Sequence, residues 1–316
     1  MMKRSMKLSK FIHLSPQRKP ASKNFLKIRI AHPGFLAAIK NINMVHSTTG
    51  FKPRGMMLVG ETGAGKTTIL EYYREQYCAL LNLEIQPPKG KYPVLLTRLQ
   101  ADSGKKSFLR SLCIELGVDP KPRETVNDLE HRVITLIKNR EVEIVLIDEF
   151  HHLAGKAGKQ HLDTIGDLIK NLMDITKVPF VLVGTLKALS VLVNHPELQR
   201  RFAASTKLTN LNLNSAEEEE QFKKFMSACH KNCGIPSVAI DTTPMLERFC
   251  LASKGRIGII TAIVETAINM ADDEVGITMP DLADAFDFCR ADPFTPKCNP
   301  FSASLQTVKK ELGRAK

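Results

Sequence analysis

Met56-Met57-Leu58-Val59 runs straight into Gly60-Glu61-Thr62-Gly63-Ala64-Gly65-Lys66-Thr67, and Thr68-Ile69-Leu70 follows. Four uncharged apolar residues read as a short buried strand, and the eight after them fit Gly-x-x-x-x-Gly-Lys-[Ser/Thr] in full. Each residue type has a physical reason for its place. Glycines let successive backbone N–H groups curl round phosphate oxygens, and the start of the next helix adds favourable field. Lys66 supplies a cation for the β- and γ-phosphates, and the Thr67 hydroxyl is a magnesium ligand. Gly60, Glu61, Thr62, Gly63, Ala64, Gly65, Lys66, Thr67 and Thr68 are therefore the expected nucleotide-binding loop, with ATP and Mg²⁺ as cofactors.

The partner motif is Ile144-Val145-Leu146-Ile147-Asp148-Glu149. An apolar strand ending in two carboxylates sets Asp148 to hold Mg²⁺, through water, and Glu149 to orient and polarise the water attacking the γ-phosphate. Two acids at a strand end are often only a solvated terminus, but the complete phosphate loop upstream favours the catalytic reading. Asp148-Glu149-Phe150-His151 also spells the DExH box of a helicase superfamily. That reading needs a second RecA-like lobe, which the roughly 100 residues after 214 cannot supply. His151 and His152 suggest a metal, against the plainer reading that they begin a loop and face a neighbour or DNA.

Around these motifs strands are expected at 56–59, 93–99, 142–147, 179–184 and 207–213, with helices near 33–43, 66–82, 103–117, 126–140, 161–176 and 186–202. Apolar strands alternating with helices indicate a parallel sheet covered on both faces. After 214 the pattern is helical only. Asn214 or Ser215 caps a helix whose first turn holds Glu217, Glu218, Glu219 and Glu220, where carboxylates complement the dipole. Further helices are expected at 243–252, 257–272 and 280–290. The expected fold class is α/β, a P-loop NTPase with a five-stranded parallel sheet core and a small C-terminal helical lid. The expected division is a basic N-terminal extension (1–30), a nucleotide-binding α/β domain (31–213), a helical lid (214–290) and a tail (291–316).

Charge and composition narrow the partners. Twelve of the 45 Lys and Arg residues fall within 1–60, which holds no Asp or Glu, so the net +12 belongs to that arm. Phosphate backbone is the commonest partner for such an arm. A solvated tail and a transit peptide are the alternatives, and Pro16, Pro20, Pro33 and a preference for Lys count against the latter. No apolar run nears the ~18–20 residues of a membrane span, and no secretory h-region follows the first basic residues. The expected place is the bacterial cytoplasm, on DNA and not in a membrane. Seven cysteines, an odd number without a CxxC pair, point to a reducing compartment. Cys229-His230-x-x-Cys233 lacks a second ligand pair, so it reads as helix-face cysteines rather than zinc.

Further positions follow the plan of AAA+ proteins. Thr185 ends the fourth strand, where a polar sensor touches the γ-phosphate or the attacking water, or else it caps the next helical stretch. Glu197-Leu198-Gln199-Arg200-Arg201-Phe202 precedes the fifth strand, the place of an arginine finger that reaches a neighbouring subunit's nucleotide. Spacing leaves open which of Arg200 and Arg201 points outward and which braces its own subunit. Lys254-Gly255-Arg256-Ile257-Gly258 opens a lid helix, the place of a second sensor arginine, Arg256. Lys105 and Lys106, with Lys156 and Lys159 after Glu149, are candidates for DNA contact or simply lysines that keep loops soluble.

GETGAGKT, VLIDEFHHL, PFVLVGT, ELQRRF and SKGRIG, in that order and spacing, resemble the TniB/TnsC family of transposition ATPases over roughly residues 30–290. The resemblance implies a regulator that assembles on double-stranded DNA as a ring or helical filament when bound to ATP. It would mark the target site, recruit the transposase together with target-selection proteins, and disassemble on hydrolysis. ELQRRF is also similar to initiator-type AAA+ proteins, so a replication initiator or loader is one alternative. A slow ATPase acting mainly as a protein adaptor is another.

Overall fold

The computed structural model describes residues 19–100, 104–154, 159–193, 195–289 and 296–313. In chain order the elements are α1 (Pro20–Lys27), α2 (Pro33–His46), β1 (Gly55–Gly60), α3 (Lys66–Leu80), β2 (Val94–Arg98), α4 (Lys105–Glu115) and α5 (Val126–Asn139). Then come β3 (Ile144–Asp148), α6 (His151–Ala154), α7 (Lys159–Thr176), β4 (Phe180–Gly184), α8 (Ser190–Val193), α9 (Pro196–Arg201) and β5 (Ala204–Leu208). The rest are helices: α10 (Ala216–Lys231), α11 (Thr243–Ser253), α12 (Ile257–Met270), α13 (Met279–Cys289) and α14 (Leu305–Glu311). They divide into an α/β unit (31–211 with 256–258) and a helical unit drawn from 1–30, 212–255 and 259–316.

In the α/β unit the five strands form one parallel sheet in the order β2-β3-β4-β1-β5. Every residue of β1, β3 and β4 is buried, as strands covered on both faces require. Side chains alternate between two apolar layers. Met57, Val59, Val145, Ile147 and Leu182 join the layer of α4, α5 and α7, while Met56, Leu58, Ile144, Leu146 and Val183 join that of α2 and α3. Thr125 caps α5 by accepting from the Asp128 amide, with Asp128 returning a bond to the Thr125 amide.

The fifth strand departs from expectation. It spans Ala204–Leu208 and not 207–213. The cause is register: β5 pairs with β1 from Met56↔Ala204 to Gly60↔Leu208, and at Gly60 the partner strand leaves the sheet. The apolar residues Leu211 and Leu213 are buried without being strand.

The helical unit takes in segments that the sequence pattern set apart. Ser22 of α1 is fully buried and donates to Glu265 Oε1 at 2.6 Å, Asn269 Nδ2 donates to the same oxygen at 2.7 Å, and Lys19 pairs with Asp273 at 2.8 Å. Near the other end, Phe301 packs edge-on against Phe249 with ring centroids 5.0 Å apart, and Val308 of α14 is buried. None of the described helices is long and apolar enough to cross a membrane.

Candidate nucleotide-binding and hydrolysis site

At the end of β1 the chain turns through a loop whose backbone demands glycine. Gly63 and Gly65 have φ of +81° and +86°, and a Cβ on either would meet nothing within 4 Å. The left-handed backbone therefore selects glycine here, and the space beside the loop is open. Lys66 opens α3 and is only 6% exposed. Its ammonium donates to the carbonyls of Gly60 at 2.9 Å and Glu61 at 2.7 Å. Burial pulls its pKa down, opposed by the charges of Glu149, Asp148 and Glu61.

The end of β3 lies against this loop. Thr67 Oγ1 donates to Asp148 Oδ2 at 2.6 Å, and the Glu149 amide donates to Asp148 Oδ1 at 2.8 Å. Arg98 Nε of β2 stands 3.5 Å from Asp148 Oδ2. Glu149 has φ of +57°, a left-handed turn that a residue with a side chain adopts rarely. Its Oε2 is 3.2 Å from His151 Nδ1. Residues 66–67 and 148–149, far apart in the chain, are thus one cluster. A buried cation, open space beside glycine amides, and a hydroxyl next to a carboxylate fit a nucleotide triphosphate with a hard divalent ion.

Other expected residues take distinct positions. Among the described residues the buried Thr185 hydroxyl has no hydrogen-bond partner and makes no cap bond; its carbonyl serves the following turn, accepting from Ala188 N at 2.9 Å. Arg201 donates to Asp174 at 2.7 Å, whereas Arg200 is exposed. Both line an open cavity of 670 Å³ with Phe51, Lys52, Arg54 and Lys170. Arg256 is half-buried and clusters with the α/β unit, as does Gly258. The Gly258 amide donates to the Gly63 carbonyl at 2.7 Å, and a Cβ there would sit 2.9 Å from that oxygen. Motif reading missed Gly258, although it stands in SKGRIG. Lys105 pairs with Glu130 at 3.7 Å, Lys106 is exposed, Lys159 begins α7, and Lys156 lies outside the described residues.

Cys229 and Cys233 are buried, with the Cys233 thiol donating to the Cys229 carbonyl at 3.3 Å. Burial raises both thiols, Cys233 to about 11, so both stay protonated and apolar. They belong to no group of metal-ligand atoms among the described residues.

The family model for bacterial TniB proteins matches residues 29–212, which include the loop, the acid pair, Thr185 and both arginines of α9. The chain belongs to the TniB family. No curated protein matches it. In fold the TniB-family chain is similar to Cdc6p from Pyrobaculum aerophilum, with TM-score 0.61 and 12% identity over 93% of this chain and 85% of that one. It is similar also to the Aeropyrum pernix ORC1 protein solved with DNA, at TM-score 0.59 and 14% identity over 84% of this chain and 69% of that one. The Aeropyrum pernix ORC2 protein, solved as ADPNP and ADP complexes, has TM-score 0.58 and 14% identity over 85% and 72%. The fold is that of an AAA+ P-loop NTPase.

Proposed function

We propose that this TniB-family protein is an ATP-dependent regulator of DNA transposition. It oligomerises on target duplex, recruits the transposase, and leaves when ATP is hydrolysed. The observation that carries the reading is the meeting of Lys66, Thr67, Asp148 and Glu149 in a chain of this family.

When bound, ATP supplies the phosphoanhydride to be cleaved, and Mg²⁺ supplies positive charge on its oxygens. The backbone amides of 63–67 and the Lys66 ammonium hold the phosphates, and Thr67 with Asp148 holds the metal. Glu149 accepts the proton of the attacking water, and the unpaired Thr185 hydroxyl positions that water or the γ-phosphate. Arg256 serves as a second sensor. Arg200 of a neighbouring copy completes the site, so occupancy by ATP favours assembly. Lys105, Lys106, Lys156, Lys159 and the basic arm hold phosphate backbone without reading bases. A DNA partner agrees with Aeropyrum pernix ORC1 and Drosophila ORC, both solved with DNA, although at 14% identity these support the fold and not an initiator's role.

The test is electron microscopy of the protein with duplex DNA, comparing a non-hydrolysable ATP analogue with ADP. Assemblies with the analogue alone are expected. Lys66→Ala should abolish them, and Glu149→Gln should trap them on DNA with ATP. Equal DNA affinity and oligomer size in both nucleotides would sink the gating. Indifference to Glu149→Gln would favour the adaptor.

A further inference from the structure

We infer that Glu149, His151 and His152 form a binding site for a first-row transition ion such as Zn²⁺, whose occupation silences hydrolysis by tying up the Glu149 carboxylate. The three residues each offer one ligand atom, and these atoms lie within 4.8 Å of one another. Glu149 Oε2 and His151 Nδ1 are 3.2 Å apart. With metal–ligand bonds of about 2.0–2.1 Å, two ligands of one tetrahedral ion stand roughly 3.3 Å apart, so the pair already has the spacing of a shared metal.

Their relative aim supports the same conclusion. At hydrogen-bond distance from a carboxylate, His151 Nδ1 is nevertheless buried without a hydrogen-bond partner among the described residues. The two atoms are close without a hydrogen bond of good geometry between them, so neither is committed to the other and both can serve as ligands. The backbone holds this arrangement. Glu149 turns through a left-handed φ of +57°, and Gly184 at the end of β4 makes room for His151. A Cβ at 184 would come within 3.1 Å of the His151 amide and 3.3 Å of Nδ1. The His151 and His152 rings lie with centroids 4.4 Å apart.

Two imidazoles and one carboxylate are a donor set for Zn²⁺, Ni²⁺ or Co²⁺, whereas Mg²⁺ prefers the all-oxygen pair of Thr67 and Asp148. All three residues are partly exposed, so solvent reaches the edge of the cluster even though His151 Nδ1 itself is buried. Three protein ligands leave at least one coordination position for water. The silencing rests on Glu149 acting as the general base, while the metal binding does not.

The probe is Co²⁺ added to the full chain, read by its visible d–d absorption. We expect a band that saturates at one ion per chain and is displaced by Zn²⁺. His152→Ala, and separately His151→Ala, should weaken Co²⁺ binding at least tenfold, with circular dichroism reporting that each variant is folded. With saturating Mg²⁺, Zn²⁺ should suppress ATP hydrolysis by the native chain, and His152→Ala should hydrolyse at the native rate and resist Zn²⁺. Absence of the band, or native Co²⁺ affinity in both folded variants, overturns the site. A chain that binds Co²⁺ as expected but hydrolyses no ATP even with a chelator supports the metal site and counts against the proposed function instead.

Discussion

Arg201 of α9 donates to Asp174 of α7 at 2.7 Å, so two adjacent arginines have different surroundings: one is tied into its own α/β unit and Arg200 is exposed. A finger must reach away from its own chain, and under the proposed function that part falls to the exposed Arg200. Arg200→Ala should lower hydrolysis by about 10³-fold or more while leaving nucleotide affinity intact. Arg201→Ala removes a surface ion pair, so it should cost at most about 1 kcal/mol of stability and leave most activity. The decisive measurement mixes Lys66→Ala with Arg200→Ala protein. Each lacks one half of the composite site, so the mixture should regain hydrolysis that neither has alone; no recovery would mean that Arg200 acts within its own chain.

Thr185 offers a different discrimination. Its hydroxyl is buried and unpaired, a state that costs free energy unless something else uses it. Thr185→Val keeps the shape and removes the hydroxyl. Were the group merely structural, the change would do nothing or stabilise by about 1 kcal/mol. A sensor predicts that stability holds or rises while kcat falls by about 10-fold to 100-fold. Chemical denaturation and steady-state kinetics on one preparation supply both numbers.

What was legible in the sequence shares one property: it is local. The motif from Gly60 to Thr67 is contiguous, as consecutive amides for one phosphate chain would require, and Asp148-Glu149 stand at the end of the strand that lies against it. The parallel sheet followed from apolar runs between helices. What escaped depends on partners distant in the chain. The end of β5 is decided by where β1 departs at Gly60, so Leu211 and Leu213, expected within the strand, are buried beyond its end. The arginine pair could not be separated without Asp174. The docking of α1 depends on Glu265 and Asn269, which no reading of residues 20–27 reveals. Lys105, a candidate for DNA contact or a solubilising lysine, stands 3.7 Å from Glu130, a neighbour that no reading of residues 105–106 reveals.

Acid sensitivity should follow from His46. The ring is buried, with Nδ1 2.8 Å from the Tyr73 hydroxyl and Nε2 3.4 Å from Glu143 Oε2. Burial holds its pKa below the ordinary value, and Glu143 only partly offsets this. The unfolded chain therefore binds a proton near pH 6.5 that the folded chain refuses. The stability from neutral His46 is fully present above about pH 6.5 and is lost as pH falls through the folded pKa. His32 and His151 are shifted the same way. Urea midpoints should drop between about pH 7.5 and about pH 5.5, and His46→Gln should flatten that drop by its share. An unchanged slope would show that His46 is protonated as readily in the folded chain as in the unfolded one.

At Gly258 the sign of a one-carbon change tells whether the residue touches the phosphate loop. Gly258 sits in the first turn of α12, where alanine ordinarily stabilises a helix by up to about 1 kcal/mol. Here an added Cβ would stand 2.9 Å from the Gly63 carbonyl and 3.2 Å from its Cα, both backbone atoms of the phosphate loop. The clash must part residue 258 from the loop, stretching the 2.7 Å bond from the Gly258 amide. Overpacking of this kind costs about 1–3 kcal/mol, enough to reverse the helix gain. Gly258→Ala should therefore lower the melting temperature and weaken ATP binding about tenfold, while Gly313→Ala, whose Cβ would meet nothing within 4 Å, should leave ATP affinity unchanged. A Gly258→Ala protein that melts higher and binds ATP normally would show that the contact between Gly258 and Gly63 does not shape the loop, and would count against the proposed second-sensor part of Arg256.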